Sequence, residues 1–325
     1  MPKNILKVAL DVPLDRLFDY LDGGFSVQVG QRVVVPFGRR NVVGVVIEKS
    51  DSSEFALEKL KTIIQVFDDE LPIDTSTFSL LKFCADYYQY PFGQALLASL
   101  PTRLRQTEPA VSRKQYLYSL TPEGIGADPD LIPARQSVQR KVFAALKQST
   151  LSESALKEIS ASWRQAIEAF RVQGWVHAEQ VLAGFKSAMQ AAPPPPLNDE
   201  QQVAVNAVTE AANTFKPFLL HGITGSGKTE VYMQILQQAL ADNDGQALVL
   251  VPEINLTPQL EARFRNRLPH LPLVSLHSNL GESERLQNWR LAQSGQARII
   301  IGTRLAVFTP IPNLKIVMVD EEHDG

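Results

Sequence analysis

The run GITGSGKT, residues 222–229, sets Gly222, Gly225 and Gly227 around Thr224 and Ser226 and ends on Lys228 and Thr229. It has the form G-x-x-x-x-G-K-[ST] and stands after the apolar run FLLH, at the start of a helix-like segment. Glycines let successive backbone N–H groups turn inward, and a helix beginning there aims its positive end at the same point. Such a loop holds a polyphosphate. Lys228 then supplies a cation to the β- and γ-phosphates, and the Thr229 hydroxyl is placed to ligate Mg2+. A second run, IVMVDEEH at 316–323, puts Asp320 at the carboxyl end of an apolar strand, where α/β sheets present ligand-binding groups. Asp320 would hold the metal through water, and Glu321 would polarise an attacking water as general base. Alone, the first run could be a chance glycine-rich turn and the second a solvated acidic loop. Together they favour an ATP and Mg2+ site.

These groups need a scaffold that brings them together. Helix-like segments at 200–212, 228–241, 258–267 and 282–293 alternate with strand-like runs at 217–221, 246–252, 273–277, 298–302 and 315–320. ALVLV, RIII and IVMV are almost continuously apolar, which predicts a parallel sheet covered on both faces.

The prolines of AAPPPPL, 191–197, remove backbone donors and exclude a helix, so this stretch reads as a stiff linker. Ahead of it, 1–105 carries valine- and isoleucine-rich runs at 31–36, 42–48 and 62–67, which predict a small β-rich domain. Helical patterning over 76–100, with Phe78, Leu81, Phe83, Ala85 and Tyr88 and breaks at Pro91 and Pro101, predicts a helical cap on it. Between 106 and 190, helix-like segments at 135–147, 151–159 and 162–172 precede the β-prone GWVHAEQV. That order suggests a winged helix, in which Trp163, Arg164 and Arg171 would meet a phosphate backbone. A three-helix module whose third helix touches only protein fits the same pattern.

The 325 residues, 44% hydrophobic and 21% charged, describe a globular chain of two or three domains. Cys84 is the single cysteine, which excludes an internal disulfide or a multi-cysteine zinc site within this segment and suggests a reducing compartment. The start has no apolar signal core and no stretch nears the length of a membrane span, so a cytoplasmic protein without membrane partners is expected. A net charge of −3 gives no overall attraction to nucleic acid, which must then be met by local patches. The middle segment has a small basic excess, 10 residues against 8 acidic, too slight to establish such binding.

LNDEQ (197–201), GITGSGKT, VPEINLTPQ (251–259), IIIGTR (299–304) and DEEH (320–323), in that order, resemble the first motor lobe of superfamily 2 helicases of the DExH kind. LHS (276–278), TRLAVFTP (303–310) and the front runs VALDVPL, RLFDYL, VVVPFG and ADYYQYPFG are similar to one branch of it, the bacterial replication-restart or primosomal protein N′ family, over nearly the whole chain. The resemblance implies a multidomain fold. A small β-barrel-like domain (1–105) would be followed by a winged-helix domain (106–190), the linker (191–197) and an incomplete α/β RecA-like lobe (198–325).

The implied activity is that of an ATP-dependent 3′-to-5′ DNA helicase that recognises stalled replication forks. Its partners would be branched DNA, both forks and D-loops, the 3′ end of the nascent leading strand, single-stranded DNA-binding protein and other primosome proteins. By the same likeness Phe18, Asp19, Tyr20, Gly38 and Lys61 line the pocket for that 3′ end. An aromatic ring would stack on the base, the carboxylate accept from the 3′ hydroxyl, and the lysine meet a phosphate. Phe18 and Tyr20 also read as alternating strand residues. Gln201 resembles an adenine-reading glutamine. Glu253, Asn255, Thr257, Gly302, Thr303 and Arg304 fall in segments that face single-stranded DNA, or are the polar ends of buried elements. His277 and His323 organise loops rather than bind metal.

The likeness further implies a second lobe with an arginine finger and cysteine-paired zinc sites in a C-terminal part this sequence does not include. The segment would then bind nucleotide weakly, with little hydrolysis and no unwinding. A DNA-binding and partner-docking module with a passive nucleotide lobe, and an RNA helicase of the same superfamily, are the alternatives.

Overall fold

The computed structural model describes residues 5–110, 115–181, 195–212, 214–223, 225–242, 244–252 and 257–320. Two units group by contact, one of Met1–Ser112 with Ala188–Gly325, the other of Arg113–Ser187. Among the described residues no helix is long and apolar enough to cross a membrane.

The first unit opens with strands β1 (Ile5–Leu10), β2 (Phe18–Leu21), β3 (Arg32–Phe37), β4 (Arg40–Ser50), β5 (Lys61–Thr62) and β6 (Gln65–Val66). They form one mixed sheet in the order β5-β2-β1-β4-β3-β6. Its two edge strands are neighbours in sequence. The Ile63 N–H donates to the Leu21 carbonyl (3.0 Å), whereas the next, from Ile64, donates to Val34 (2.8 Å). The chain thus passes from one edge to the other within two residues and curls the sheet around Leu6, Val8, Leu10, Val33, Val35 and Val46. The single strand expected at 62–67 is for this reason two short ones. β1 escaped the pattern search because it is buried on both faces and does not alternate.

Helix α1 (Thr75–Tyr88) starts where the Asp74 carboxylate accepts from the Thr77 N–H (2.8 Å), and α2 (Phe92–Ser99) follows Pro91. α1 buries Thr77, Phe78, Leu81 and Ala85. Phe83 and Tyr88 belong to its outer face, where Phe83 stacks on Tyr87 with centroids 6.0 Å apart. The expected helical pattern had mixed two faces.

The second unit holds β7 (Gln115–Leu120), α3 (Pro122–Gly126), α4 (Ser137–Gln148), β8 (Leu151–Ser152), α5 (Glu153–Ile159), α6 (Trp163–Val172) and β9 (Val176–Val181). The strands make an antiparallel sheet in the order β8-β7-β9. Trp163, Ala166, Ile167 and Phe170 form the buried face of α6, in one core with Val142, Phe143 and Leu146 of α4. Trp163, expected to meet DNA, is buried edge-on against Tyr118 at 5.6 Å. Arg164 and Arg171 remain at the surface, loosely paired with Glu153 and Glu168.

After 195 come α7 (Asp199–Glu210), α8 (Lys228–Ala239), β10 (Gln246–Leu250), α9 (Thr257–Arg267), β11 (Leu273–Leu276), α10 (Glu282–Gln293), β12 (Ile299–Gly302) and β13 (Leu314–Val319). The sheet is parallel, ordered β11-β12-β10-β13, as the apolar runs predict. Gln246, fully buried at the start of β10, donates to the Ala292 and Ala297 carbonyls (2.9 and 2.7 Å) and accepts from the Asn313 N–H (3.1 Å). One amide thereby ties the end of α10, the loop after it and the loop before β13 together at one end of the sheet. The strand expected at 217–221 does not form. Its Phe218 and Leu219 are exposed, and among the described strands β13 pairs on one side only, with β10. An apolar run becomes a strand only when an edge accepts its backbone groups.

A loop after β6 joins the curled sheet to this lobe. Asp69 pairs with the buried Arg32 of β3 (2.6 Å) and accepts from the Ala110 N–H (2.7 Å). Glu70 pairs with Arg290 of α10, which also donates to the Ala110 carbonyl (2.7 Å), and Gln293 donates to Leu71 (2.9 Å). Burial pushes the Glu70 carboxyl above the usual range despite Arg290 beside it. Removing one member of a buried pair strands the other charge. Arg290→Ala should therefore cost about 3–5 kcal/mol at pH 8. A raised carboxylate pKa means the folded state holds the proton longer, so stability falls as pH rises through that range, and the cost should shrink at pH 5. Urea unfolding of both proteins at the two pH values measures this.

Candidate functional site

The glycine loop is held from two sides. Asn198 caps α7 by accepting from the Gln201 N–H (2.8 Å), and Gln201 returns the bond through Oε1 to the Asn198 N–H (3.0 Å). The same Gln201 donates through Nε2 to the Ser226 carbonyl (2.9 Å). One amide hydrogen and one lone pair remain, the pair a base edge would use. Lys228, first residue of α8, donates to the carbonyls of Gly222 (2.6 Å) and Ile223 (3.3 Å), so its ammonium lies within the turn. Gly225 and Gly227 have φ of 82° and 85°. A Cβ at Gly222 would stand 2.6 Å from Ser226 Oγ, and one at Gly227 2.4 Å from Gln201 Nε2. A loop whose Gly225 and Gly227 take left-handed φ, and which holds an ammonium and leads into a helix N-terminus, fits a phosphate chain. Thr224 lies outside the described residues.

Thr229, next along α8, lines a recess of about 370 Å³ with Glu230, Met233, Arg263, Asn266 and Arg267. Asp320 follows β13, and its N–H donates to the Leu250 carbonyl at the end of β10 (2.9 Å). α8 packs against β13, so the loop helix and the strand leading to Asp320 are neighbours. With Thr229 as a protein ligand and Asp320 holding the ion through water, Mg2+ would draw its remaining oxygens from water and phosphate, as this hard cation prefers. Among the described residues no group of three or more His, Cys, Asp or Glu side chains converges. Glu321, Glu253, Asn255 and His323 lie outside the described residues, as does the side chain of Thr257.

Gly302 ends β12 where a Cβ would stand 2.7 Å from the Leu276 carbonyl. The Thr303 N–H donates to that carbonyl (3.2 Å), and the exposed Arg304 opens a 3-10 turn, Arg304–Phe308, that buries Ala306. His277 does not organise its loop through the ring, whose Nδ1 is buried without a partner. Arg285 does so by donating to the His277 and Ser278 carbonyls (3.1 and 3.0 Å).

The curled sheet gathers the front residues. Phe18 packs edge-to-face on Phe37 (centroids 5.3 Å apart), beside the β3–β4 turn whose Gly38 (φ 60°) has open space around it. Lys61 of β5 is exposed and pairs in register with Tyr20 of β2. Asp19 is nearly buried, accepting from Ser53 Oγ (2.5 Å), with Lys7 Nζ 3.5 Å away. Tyr20 corrects its expectation. Its ring is 4% exposed and its hydroxyl donates to the Pro36 carbonyl (3.3 Å), so it ties β2 to β3 and offers DNA no face. Lys7 and Ser53 were not anticipated, and Phe37 only as part of the VVVPFG run. Lys7 stands opposite Asp19 in the β1–β2 register and follows once β1 is known, whereas Ser53 arrives from a loop with no sequence signal.

Two substitutions probe these arrangements. Gly227→Ala should lower stability by about 1–2 kcal/mol through left-handed strain, besides displacing Gln201, and chemical denaturation measures it. Burial raises the Tyr20 phenol to about 12. The folded state then keeps a proton that the unfolded chain sheds near pH 10, so stability drops between pH 10 and 12. Tyr20→Phe should flatten that alkaline slope in pH-dependent unfolding.

A family model described as a PriA 3′DNA-binding domain (3′BD) matches residues 7–101, and the DEAD/DEAH box helicase model matches residues 198–324. The replication restart protein PriA of Haemophilus influenzae is 37% identical over 99% of this chain and 44% of its own length. The protein of the same name from Bacillus subtilis is 29% identical over 99% of the chain and 49% of its length, and that of Chlamydia trachomatis 32% over 98% and 44%. The chain spans about half the length of the curated relatives it matches. With the 3′ DNA-binding and helicase models matched in succession, and PriA proteins aligned over nearly all its residues, the chain belongs to the PriA family of replication-restart proteins.

Proposed function

We propose that the chain acts in an ATP-dependent 3′-to-5′ DNA helicase that recognises stalled or abandoned forks by the 3′ end of the leading strand and readies them for the primosome. The observation that carries this reading is the Phe18–Phe37 pair, with Asp19 next along β2 and Lys61 on the adjoining β5, on a sheet whose loop is ion-paired to the helicase lobe through Glu70 and Arg290.

In this reading the terminal nucleotide enters beside Phe18. One Asp19 oxygen accepts from the 3′ hydroxyl, while Ser53 and Lys7 hold the carboxylate in place. Lys61 meets a phosphate of the strand. Bound Mg-ATP supplies the free energy of phosphoryl transfer. Toward it Lys228 offers its ammonium to the phosphates, Thr229 and Asp320 hold the metal, and Gln201 spends its remaining donor and acceptor on the base. Thr303 and the exposed Arg304, at the turn after β12, donate to phosphates of the tracked strand. The Arg113–Ser187 unit, three main helices beside a three-stranded antiparallel sheet, adds a winged-helix-like contact through Arg164 and Arg171.

Binding to forks whose leading arm ends in a 3′ hydroxyl or a 3′ phosphate tests the reading. The hydroxyl end should bind about tenfold more tightly, roughly 1.4 kcal/mol, and Asp19→Ala should erase the difference. Equal affinity of the unaltered chain for both ends overturns it. In parallel, Mg-ATP should raise the melting temperature of the unaltered chain and leave Lys228→Ala unmoved.

A further inference from the structure

Arg16 sits in the link between β1 and β2 and places its guanidinium over the Phe18 ring, 4.8 Å from the centroid. The backbone sets this position. Successive N–H groups of Val12, Leu14 and Arg16 donate two residues back, to Leu10, Val12 and Leu14 (2.9, 2.8 and 3.0 Å). Neighbouring acids are turned elsewhere. Asp15 accepts from the Phe92 N–H (3.4 Å), Asp11 from Gln94 (3.4 Å), and Asp19 is engaged by Ser53 and Lys7. Among the described residues Arg16 makes no salt bridge, so an exposed, delocalised cation covers the ring that was expected to stack directly on a base.

A guanidinium is planar, weakly hydrated and able to stack on both faces, while its N–H groups at the rim reach phosphate. Phe37 meets Phe18 edge-on, at 82°, and Arg16 lies over the ring. We propose that Arg16 is a nucleic-acid contact of the 3′-end site: the terminal base stacks on the outer face of its guanidinium, giving a base–Arg16–Phe18 sandwich, and its rim donates to the adjacent phosphate. This rests on the end-binding reading above and adds to it a residue that reads the base plane rather than the hydroxyl. Lysine in its place would keep the charge and lose the platform.

The test uses the full chain and a fork carrying 2-aminopurine as the 3′-terminal nucleotide of its leading arm. Affinity is read by anisotropy at two salt concentrations and stacking by quenching of the probe. Arg16 is exposed, so Arg16→Ala should melt with the unaltered chain. It should bind the hydroxyl-ended fork about tenfold more weakly and release the quench. Arg16→Lys should recover the salt dependence and leave the probe unquenched. Full quenching with Arg16→Lys overturns the stacking role. An unchanged Arg16→Ala, with Asp19→Ala still losing its preference for the hydroxyl end, overturns the proposal and spares the end-binding reading. No preference in the unaltered chain overturns both.

Discussion

Two adjacent carboxylates, Asp69 and Glu70, have been taken largely out of water, and the arrangement of the first unit depends on each finding a different arginine. Asp69 takes Arg32 from the curled sheet and Glu70 takes Arg290 from the helicase lobe. A buried ion pair is seldom a large net source of stability, because desolvation offsets most of the attraction. Its force is in exclusion, since any other placement of the lobe leaves a carboxylate without its counter-charge. Arg32 is itself tightly held, donating to the Leu104 carbonyl (2.8 Å) and lying over Phe67 at 4.4 Å. Burial lowers its pKa against the pull of Asp69. Selection of one geometry by the cost of its alternatives is the physical content of this joint.

The helicase lobe was the most legible part of the sequence. β10 and β12 announce themselves because strands covered on both faces need apolar residues at every position, whereas β13 is as apolar but only Met318 in it is buried, and α10 has the bounds the pattern gives it, 282–293. The front sheet was less so. β1 is equally apolar but isolated among loops, and the 61–66 segment divides for a reason that lies in its two partners and not in its own residues. Side-chain pairings were least legible of all. Ser53 reaches Asp19 across 34 positions, and Arg290 reaches Glu70 across 220. Trp163 and Tyr20 show the opposite error. Both have the chemistry of a nucleic-acid contact and both are claimed by cores, because a large ring buried in a small domain contributes more there than at its surface.

The glycine loop and the front pocket follow a common logic of restraint. In each, a charged side chain is held by its own surroundings. Lys228 is turned onto the carbonyls of its own loop, and Asp19 is fixed by a hydroxyl and an ammonium.

The joint through Glu70 and Arg290 also bears on how such a chain can be rebuilt or diversify. A helicase lobe of the same topology but lacking an arginine at the position of Arg290 would not graft onto this front sheet, because it would entomb Glu70 without a counter-ion. Recombination between relatives should therefore carry the loop at 68–73 and α10 as a linked inheritance, even though some two hundred positions separate them along the chain.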